Sequence, residues 1–195
     1  MMNKKIIACD LDDVLWDLTP TWIDEYNKIY KPTLKLKKKH IDSWDFSTVF
    51  ENKVDIQIFY SILTHHGFWD KVAQNQNSSV ISTNKMWLFI LNVYFDVYIV
   101  THTAYYQRHK LDLFLDLFKD VVNKDQLILI KDKWLINADI VIDDRAETLE
   151  KFTTKGARCV KINQPWNKWF DCENYDTFAQ AAEEILIQEV YYAKS

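Results

Sequence analysis

The chain has 195 residues, 48% of them apolar and 15% aromatic, with a formal net charge of −4. That length fits one domain, or one domain with a sizeable insertion, and leaves ample apolar content for a packed core. The acidic balance argues against a general affinity for nucleic acid through phosphate neutralisation. Two glycines in the whole chain leave no Gly-rich phosphate loop of the G-x-G-x-x-G or Walker kind.

In chain order, the run Lys4-Lys5-Ile6-Ile7-Ala8-Cys9 predicts a first buried strand. It ends in acids, Asp10-Leu11-Asp12-Asp13, and not in a turn residue. Alternation along a strand points Asp10 and Asp12 the same way. Two carboxylates on one side repel, which is tolerable when a divalent cation neutralises one and the other shares a proton. The four apolar residues before Asp10 are too few for the apolar region of a signal peptide, and no stretch approaches the length of a membrane span. Cys9, Cys159 and Cys172 are odd in number and lack C-x-x-C spacing, which suits a reducing compartment and makes no zinc site. The expected location is cytoplasmic, with Cys9 as a small buried hydrophobe.

Residues 16–77 read as a mostly helical insertion, leaving 1–15 and 78–195 as an α/β core. Thr19-Pro20 opens a helix with Thr as cap and Pro at the first helical position. That helix runs to about Tyr30 and stops near Pro32. The basic stretch Lys35 to Lys39 reads as a solvated face. A second helical pattern covers residues 56–66 and ends at Gly67. Adjacent His65 and His66 point in different directions on a helix and have no further ligand at metal-site spacing, so no metal site is expected there. Ser78 or Ser79 then caps a helix running through Met86, Leu88, Phe89 and Ile90.

Four more apolar runs follow, at residues 96–100, 127–130, 138–142 and 157–162. Helical patterns lie between and after them, at 105–119, 145–153 and 175–192, the first with Leu111, Phe114, Leu115 and Phe118 on one face. Strands alternating with helices predict a doubly wound parallel sheet. Ligands of such sheets bind at the carboxyl ends of the strands. Those ends carry Asp10 and Asp12, then Thr101, then Lys133 (or Lys131), then Asp143-Asp144. Together they suit phosphoryl transfer: a carboxylate nucleophile, a metal to offset charge, and a Lys and a hydroxyl to hold the transferring oxygens.

Asp10-Leu11-Asp12-Asp13-Val14-Leu15, Ile99-Val100-Thr101, Lys133 and Ile142-Asp143-Asp144 resemble the four ordered motifs of the haloacid dehalogenase superfamily. The run from Lys131 through Asp143-Asp144-Arg145 and the turn Gln164-Pro165-Trp166-Asn167 are similar to the 5′(3′)-deoxyribonucleotidases of bacteria and phages. The resemblance implies a Rossmann-like sheet with a small helical cap inserted after the first strand. It implies that Asp10 attacks phosphorus to form an aspartyl-phosphate while Asp12 carries the proton. Mg2+ would be held by Asp10, the main-chain carbonyl of Asp12, and Asp143. Asp144 would act behind these, through water or by orienting Lys133. Thr101 and Lys133 would bind phosphoryl oxygens, and His102 would touch phosphate or shape the rim.

The chain departs from the pattern at Asp13, where the superfamily often has Gly, and at Leu18, where vertebrate relatives carry an aromatic residue. Asp13 is expected to turn away from the phosphate. Most aromatics of the insertion (Trp16, Trp22, Trp44, Phe46, Phe50, Phe68, Trp69) should pack in a core. Trp16, Trp44 and Phe46 are the candidates for stacking on a base or sugar. The expected activity is that of a Mg-dependent nucleotidase acting on small (deoxy)nucleoside monophosphates. No polynucleotide or membrane partner is expected, and the chain would be a monomer or homodimer. The alternatives are a phosphatase for another small phosphomonoester or a nucleic-acid terminal phosphate, and a catalytically weak phosphate-binding protein.

Overall fold

The computed structural model describes residues 4–192 apart from 33, 47, 51, 52, 66 and 103–106. Six strands form one all-parallel sheet: β1 (Ile6–Cys9), β2 (Asp96–Thr101), β3 (Leu127–Leu129), β4 (Ile140–Asp143), β5 (Arg158–Ile162) and β6 (Glu173–Tyr175). Their spatial order is β3-β2-β1-β4-β5-β6, so the chain winds outward from β1 in one direction and then, from β4, in the other. The reversal falls between β1 and β4, where an open sheet of this kind places its ligand.

Both faces of the sheet are covered, which is why its inner strands read as continuous apolar runs. On one face Ile7, Cys9, Val97, Ile99, Ile140, Ile142, Val160 and Ile162 share a core with helices α4 (Ser78–Tyr94), α5 (Gln107–Phe118) and α7 (Phe178–Leu186). On the other, Ala8, Val100, Val141 and Cys159 pack against Leu149 and Phe152 of α6 (Ala146–Thr153). Cys9 is fully buried, and burial pushes its thiol up, so it behaves as the small hydrophobe expected. No helix of the described residues is long and apolar enough to cross a membrane.

Between β1 and β2 the chain forms α1 (Thr19–Tyr30), α2 (Lys53–Ser61) and α3 (Phe68–Asn75). Trp22 stacks on Phe59 with centroids 4.1 Å apart and donates its indole N–H to the Phe59 carbonyl at 2.7 Å. Phe46, Phe50 and Tyr26 close around Phe59. This aromatic cluster is continuous with the sheet's main core through Leu11, Leu15, Trp16 and Leu18. Where the insertion leaves and returns, Asp17 N donates to Gln76 Oε1 at 2.9 Å and Gln76 Nε2 donates back to Asp17 O at 3.0 Å.

Several boundaries differ from the pattern in the sequence. Asn77, and not Ser78 or Ser79, caps α4, accepting from the N–H groups of Ser79 and Val80. Thr19 is the first helical residue and not the cap; its N–H and hydroxyl both go to Asp13, so the acceptor lies six residues upstream. The pattern at 56–66 resolves into α2 and a 3-10 turn, Ile62–Thr64, with His66 outside the described residues. The pattern lacks α3, which begins at Phe68 directly after Gly67, whose φ of 80° is a conformation that suits glycine. Residues 105 and 106 of the pattern at 105–119 also lie outside the described residues. β6 was missed because three residues, Glu-Asn-Tyr, carry no apolar run. Tyr175 therefore belongs to a strand, and the last helix starts at Phe178 behind a Thr177 cap.

Candidate active site

The first motif is held by the sheet itself. Asp10 N donates to Ile142 O at 2.8 Å, extending the β1–β4 ladder by one residue and setting Asp10 beside the end of β4. The chain then turns tightly, with Leu11 O accepting from Leu15 N at 3.0 Å. Asp13 sits in this turn at φ 55°, in the left-handed region. That geometry explains why glycine suits the position. The Asp13 carboxylate is buried and faces the insertion, where Thr19 and Lys38 hold it (Thr19 Oγ1 at 2.5 Å, Lys38 Nζ at 3.4 Å). Burial pushes its pKa up to about 6 against the opposing pull of Lys38 and Thr19.

Asp10 is 6% exposed and pairs with Lys133 Nζ at 2.7 Å. Burial pushes its pKa up to about 7, with Lys133 opposing and Asp143 and Asp12 adding to the rise. Lys133, in the turn after β3, reaches Asp143 Oδ2 as well, at 2.8 Å. Burial works against its charge, but the two carboxylates outweigh burial and hold it well above the ordinary lysine range. Lys131 stays at the rim of the same cavity. The geometry therefore favours Lys133 over Lys131 as the motif lysine.

The two acids ending β4 have different surroundings. Asp143 uses both oxygens, Oδ2 toward Lys133 and Oδ1 as acceptor for Arg145 N at 2.8 Å. Asp144 accepts from Trp166 Nε1 at 3.0 Å through Oδ2, while its buried Oδ1 has no partner among the described residues. Burial, then Asp10 and Asp143, push the Asp144 pKa well above the carboxylate range. Of the two β4 acids it is Asp143, and not Asp144, that contacts Lys133, which leaves for Asp144 the other expected route, through water. Ligand atoms of Asp10, Asp143 and Asp144 lie within 4.8 Å of one another. Three buried carboxylates with one oxygen unpartnered fit a hard divalent cation such as Mg2+.

Thr101 ends β2 and is fully buried. Its hydroxyl accepts from Lys110 Nζ at 2.9 Å. Lys110 also binds an Asp12 carboxylate oxygen, so one buried ammonium ties the second motif to the first. The sequence reading overlooks Lys110. The signal was there: it stands one turn before Phe114 and two before Phe118, on the buried stripe of α5. The other Asp12 oxygen accepts from Trp16 Nε1 at 2.8 Å.

Trp16 thus serves Asp12 and the core. It is 2% exposed, with its ring between Trp69 and Phe114, and offers no face to a ligand. Phe46 is likewise buried among Trp22, Phe59 and Tyr60. Both were expected as stacking surfaces, but aromatic packing in the insertion consumes them. Trp44 alone of the three lines the cavity, with Arg145 over its ring at 5.9 Å. His102 stands at the cavity rim, where partial burial and then Lys110, Lys131, Lys133 and Arg145 hold its pKa below the ordinary value.

Asp10, Asp12, Thr101, His102, Lys131, Lys133, Arg145, Thr148 and Trp44 enclose about 60 Å³. That is about two waters' share of liquid volume, at ~30 Å³ each. It is too small for anything much larger than a phosphoryl-sized group. A larger hollow of about 410 Å³ beside β6 and α7 is lined by Asp176, Glu183 and Glu184 with no cation, and is unsuited to a phosphate.

The family described as 5′ nucleotidase, deoxy (Pyrimidine), cytosolic type C protein matches residues 4–191. The chain belongs to this nucleotidase family. It is 30% identical over 151 residues to a 5′(3′)-deoxyribonucleotidase of Clostridium acetobutylicum, covering 77% of this chain and 79% of that one. It is also 30% identical over 154 residues to a 5′(3′)-deoxyribonucleotidase of Bacillus subtilis, covering 76% and 81%. Among solved structures, a haloacid dehalogenase-like hydrolase from Streptococcus pneumoniae aligns with TM-score 0.62 at 14% identity, over 97% of this nucleotidase and 100% of that chain. A Bacillus subtilis haloacid dehalogenase-type hydrolase described as bound to magnesium aligns with TM-score 0.57 at 10% identity, over 94% and 99%. At those identities the structures establish the fold. The nucleotidase is a phosphoric monoester hydrolase with a haloacid dehalogenase-like α/β core.

Proposed function

We propose that this nucleotidase is a Mg2+-dependent 5′(3′)-deoxyribonucleotidase working through an aspartyl-phosphate on Asp10. The observation that carries the reading is the buried Asp10–Lys133–Asp143 arrangement, with Asp12 and Thr101 on the same cavity, in a chain whose relatives bear that name. Lys133 favours the ionised form of Asp10 that attack on phosphorus needs. An Asp10 oxygen forms the new bond to phosphorus as the bond to the ribose oxygen breaks, and Asp12 gives that oxygen a proton. Asp12 then takes a proton from the water that attacks the same phosphorus, and Asp10 leaves as a carboxylate. Trp16 and Lys110 fix where the two Asp12 oxygens sit. Thr101, Lys133 and the rim residue His102 are placed to receive phosphoryl oxygens.

Mg2+ would be held by Asp10, the Asp12 carbonyl and the β4 acids. Asp144 is preferred over Asp143 as direct ligand, because both Asp143 oxygens are engaged. When bound, the ion offsets the charge of the carboxylates and the phosphate. Residues 16–77 act as the cap, and Trp44, reaching the cavity from it, is the surface for a base.

The test is phosphate release from deoxyribonucleoside, ribonucleoside and sugar monophosphates, with Mg2+ and with EDTA. Deoxyribonucleotides should turn over best, only with Mg2+, and Asp10→Asn should lower kcat at least ~10³-fold. A preference for sugar phosphates over every nucleotide, or an Asp10→Asn enzyme as active as the parent, would overturn the reading.

A further inference from the structure

We propose that Trp166 is a positioning residue: its indole N–H selects which Asp144 oxygen is left free for the cation, and the insertion holds the ring in place. This rests on the Mg2+ reading above. Trp166 is 2% exposed and lies in the 3-10 turn Pro165–Asn167 after β5. Its Nε1 donates to Asp144 Oδ2, leaving Oδ1 without a partner among the described residues, in a carboxylate that has an oxygen within 4.8 Å of ligand atoms of Asp10 and Asp143. An indole N–H only donates, so it can fix a carboxylate without competing for a cation.

The rest of the turn is built around the same acid. Asn167 Nδ2 donates to the main-chain carbonyls of Asp144 at 2.7 Å and Ile162 at 2.8 Å, and Gln164 N donates to Asn167 Oδ1 at 3.0 Å. From the insertion, Trp44 meets the Trp166 ring at 5.7 Å and Lys38 Nζ stands 5.4 Å over it. Lys38 also pairs with Asp13, whose carbonyl accepts from Gln164 Nε2 at 2.9 Å. The insertion therefore flanks the ring with Trp44 and Lys38. A ring that merely filled space would need no N–H, and Trp166→Phe separates the two roles.

The experiment is calorimetric titration of Mg2+ into EDTA-stripped protein, with folding checked by far-UV circular dichroism. Trp166→Phe should weaken Mg2+ binding about 10- to 100-fold, as loss of a group that orients a ligand does. An unchanged affinity in a folded variant overturns the proposal. Absence of Mg2+ binding by the parent protein would overturn the metal reading instead, and this inference with it. Should Trp166→Phe not fold, Lys38→Met, at the insertion surface, should weaken Mg2+ binding roughly threefold; an unchanged value there overturns the proposal.

Discussion

Asp10, Asp143 and Asp144 are buried together with one lysine between them, and burial with the neighbouring carboxylates pushes the pKa values of Asp10 and Asp144 up. Asp10 is raised from 3.8 to about 7 in the fold. The folded state then binds more protons than the unfolded chain between about pH 4 and pH 7, so stability falls as pH rises through that window. Asp13, raised to about 6, acts in the same direction. Midpoints of urea unfolding in EDTA should therefore drop between pH 4.5 and pH 7.5, the Asp10 contribution being at most about 4 kcal/mol. Saturating Mg2+ should restore stability at pH 7.5 and do little at pH 5, where protons compete for the site. Stability rising with pH in EDTA would mean that Asp10 is ionised throughout. The positions of these acids were legible because each ends an apolar run. Which of Asp143 and Asp144 meets Lys133 was not, because partners for the two come from segments up to 22 residues away.

The elements around the site depend on short polar contacts at their ends. Asn77 accepts from Ser79 N at 3.0 Å and so starts α4, which returns the chain from the insertion to the sheet. Asn77→Ala should destabilise the fold by about 1 kcal/mol. For a chain of this length that lowers the Tm by about 2–4 °C, read by differential scanning calorimetry. An unchanged Tm would show that the α4 N-terminus is held by packing alone. Helix interiors were legible from their periodicity, but the caps were misplaced by a residue or by a distant acceptor. Several polar residues near each start are chemically equivalent, and only backbone geometry chooses among them. Asp13 shows this best: it serves α1 from outside the helix, through a left-handed turn whose shape belongs to the loop after β1.

Over the molecule as a whole, the insertion and the sheet share one apolar cluster running from Phe59 through Trp22, Leu18 and Leu11 to the β-strands. The Asp17–Gln76 clasp closes the crossing point. The insertion should therefore not unfold alone. Denaturation followed by far-UV circular dichroism and by Trp fluorescence should give one coincident transition. Two separated transitions would make residues 16–77 an independent folding unit. The shared core also explains the fate of Trp16 and Phe46: an insertion this small spends its aromatics on packing and leaves Trp44 at the cavity.

By itself the sequence determined the alternating α/β order and the polar residues at the strand ends. Both are local: apolar runs define strands, and the residue following each run must sit at the sheet's carboxyl edge. The tertiary structure decided the division of labour. It brought Lys110 to Asp12, gave Lys133 to Asp143, left an Asp144 oxygen unpartnered, and set Trp166 between that acid and the insertion. Those pairings follow from which distant side chains meet in a buried space, where every charge must find a partner or keep its proton.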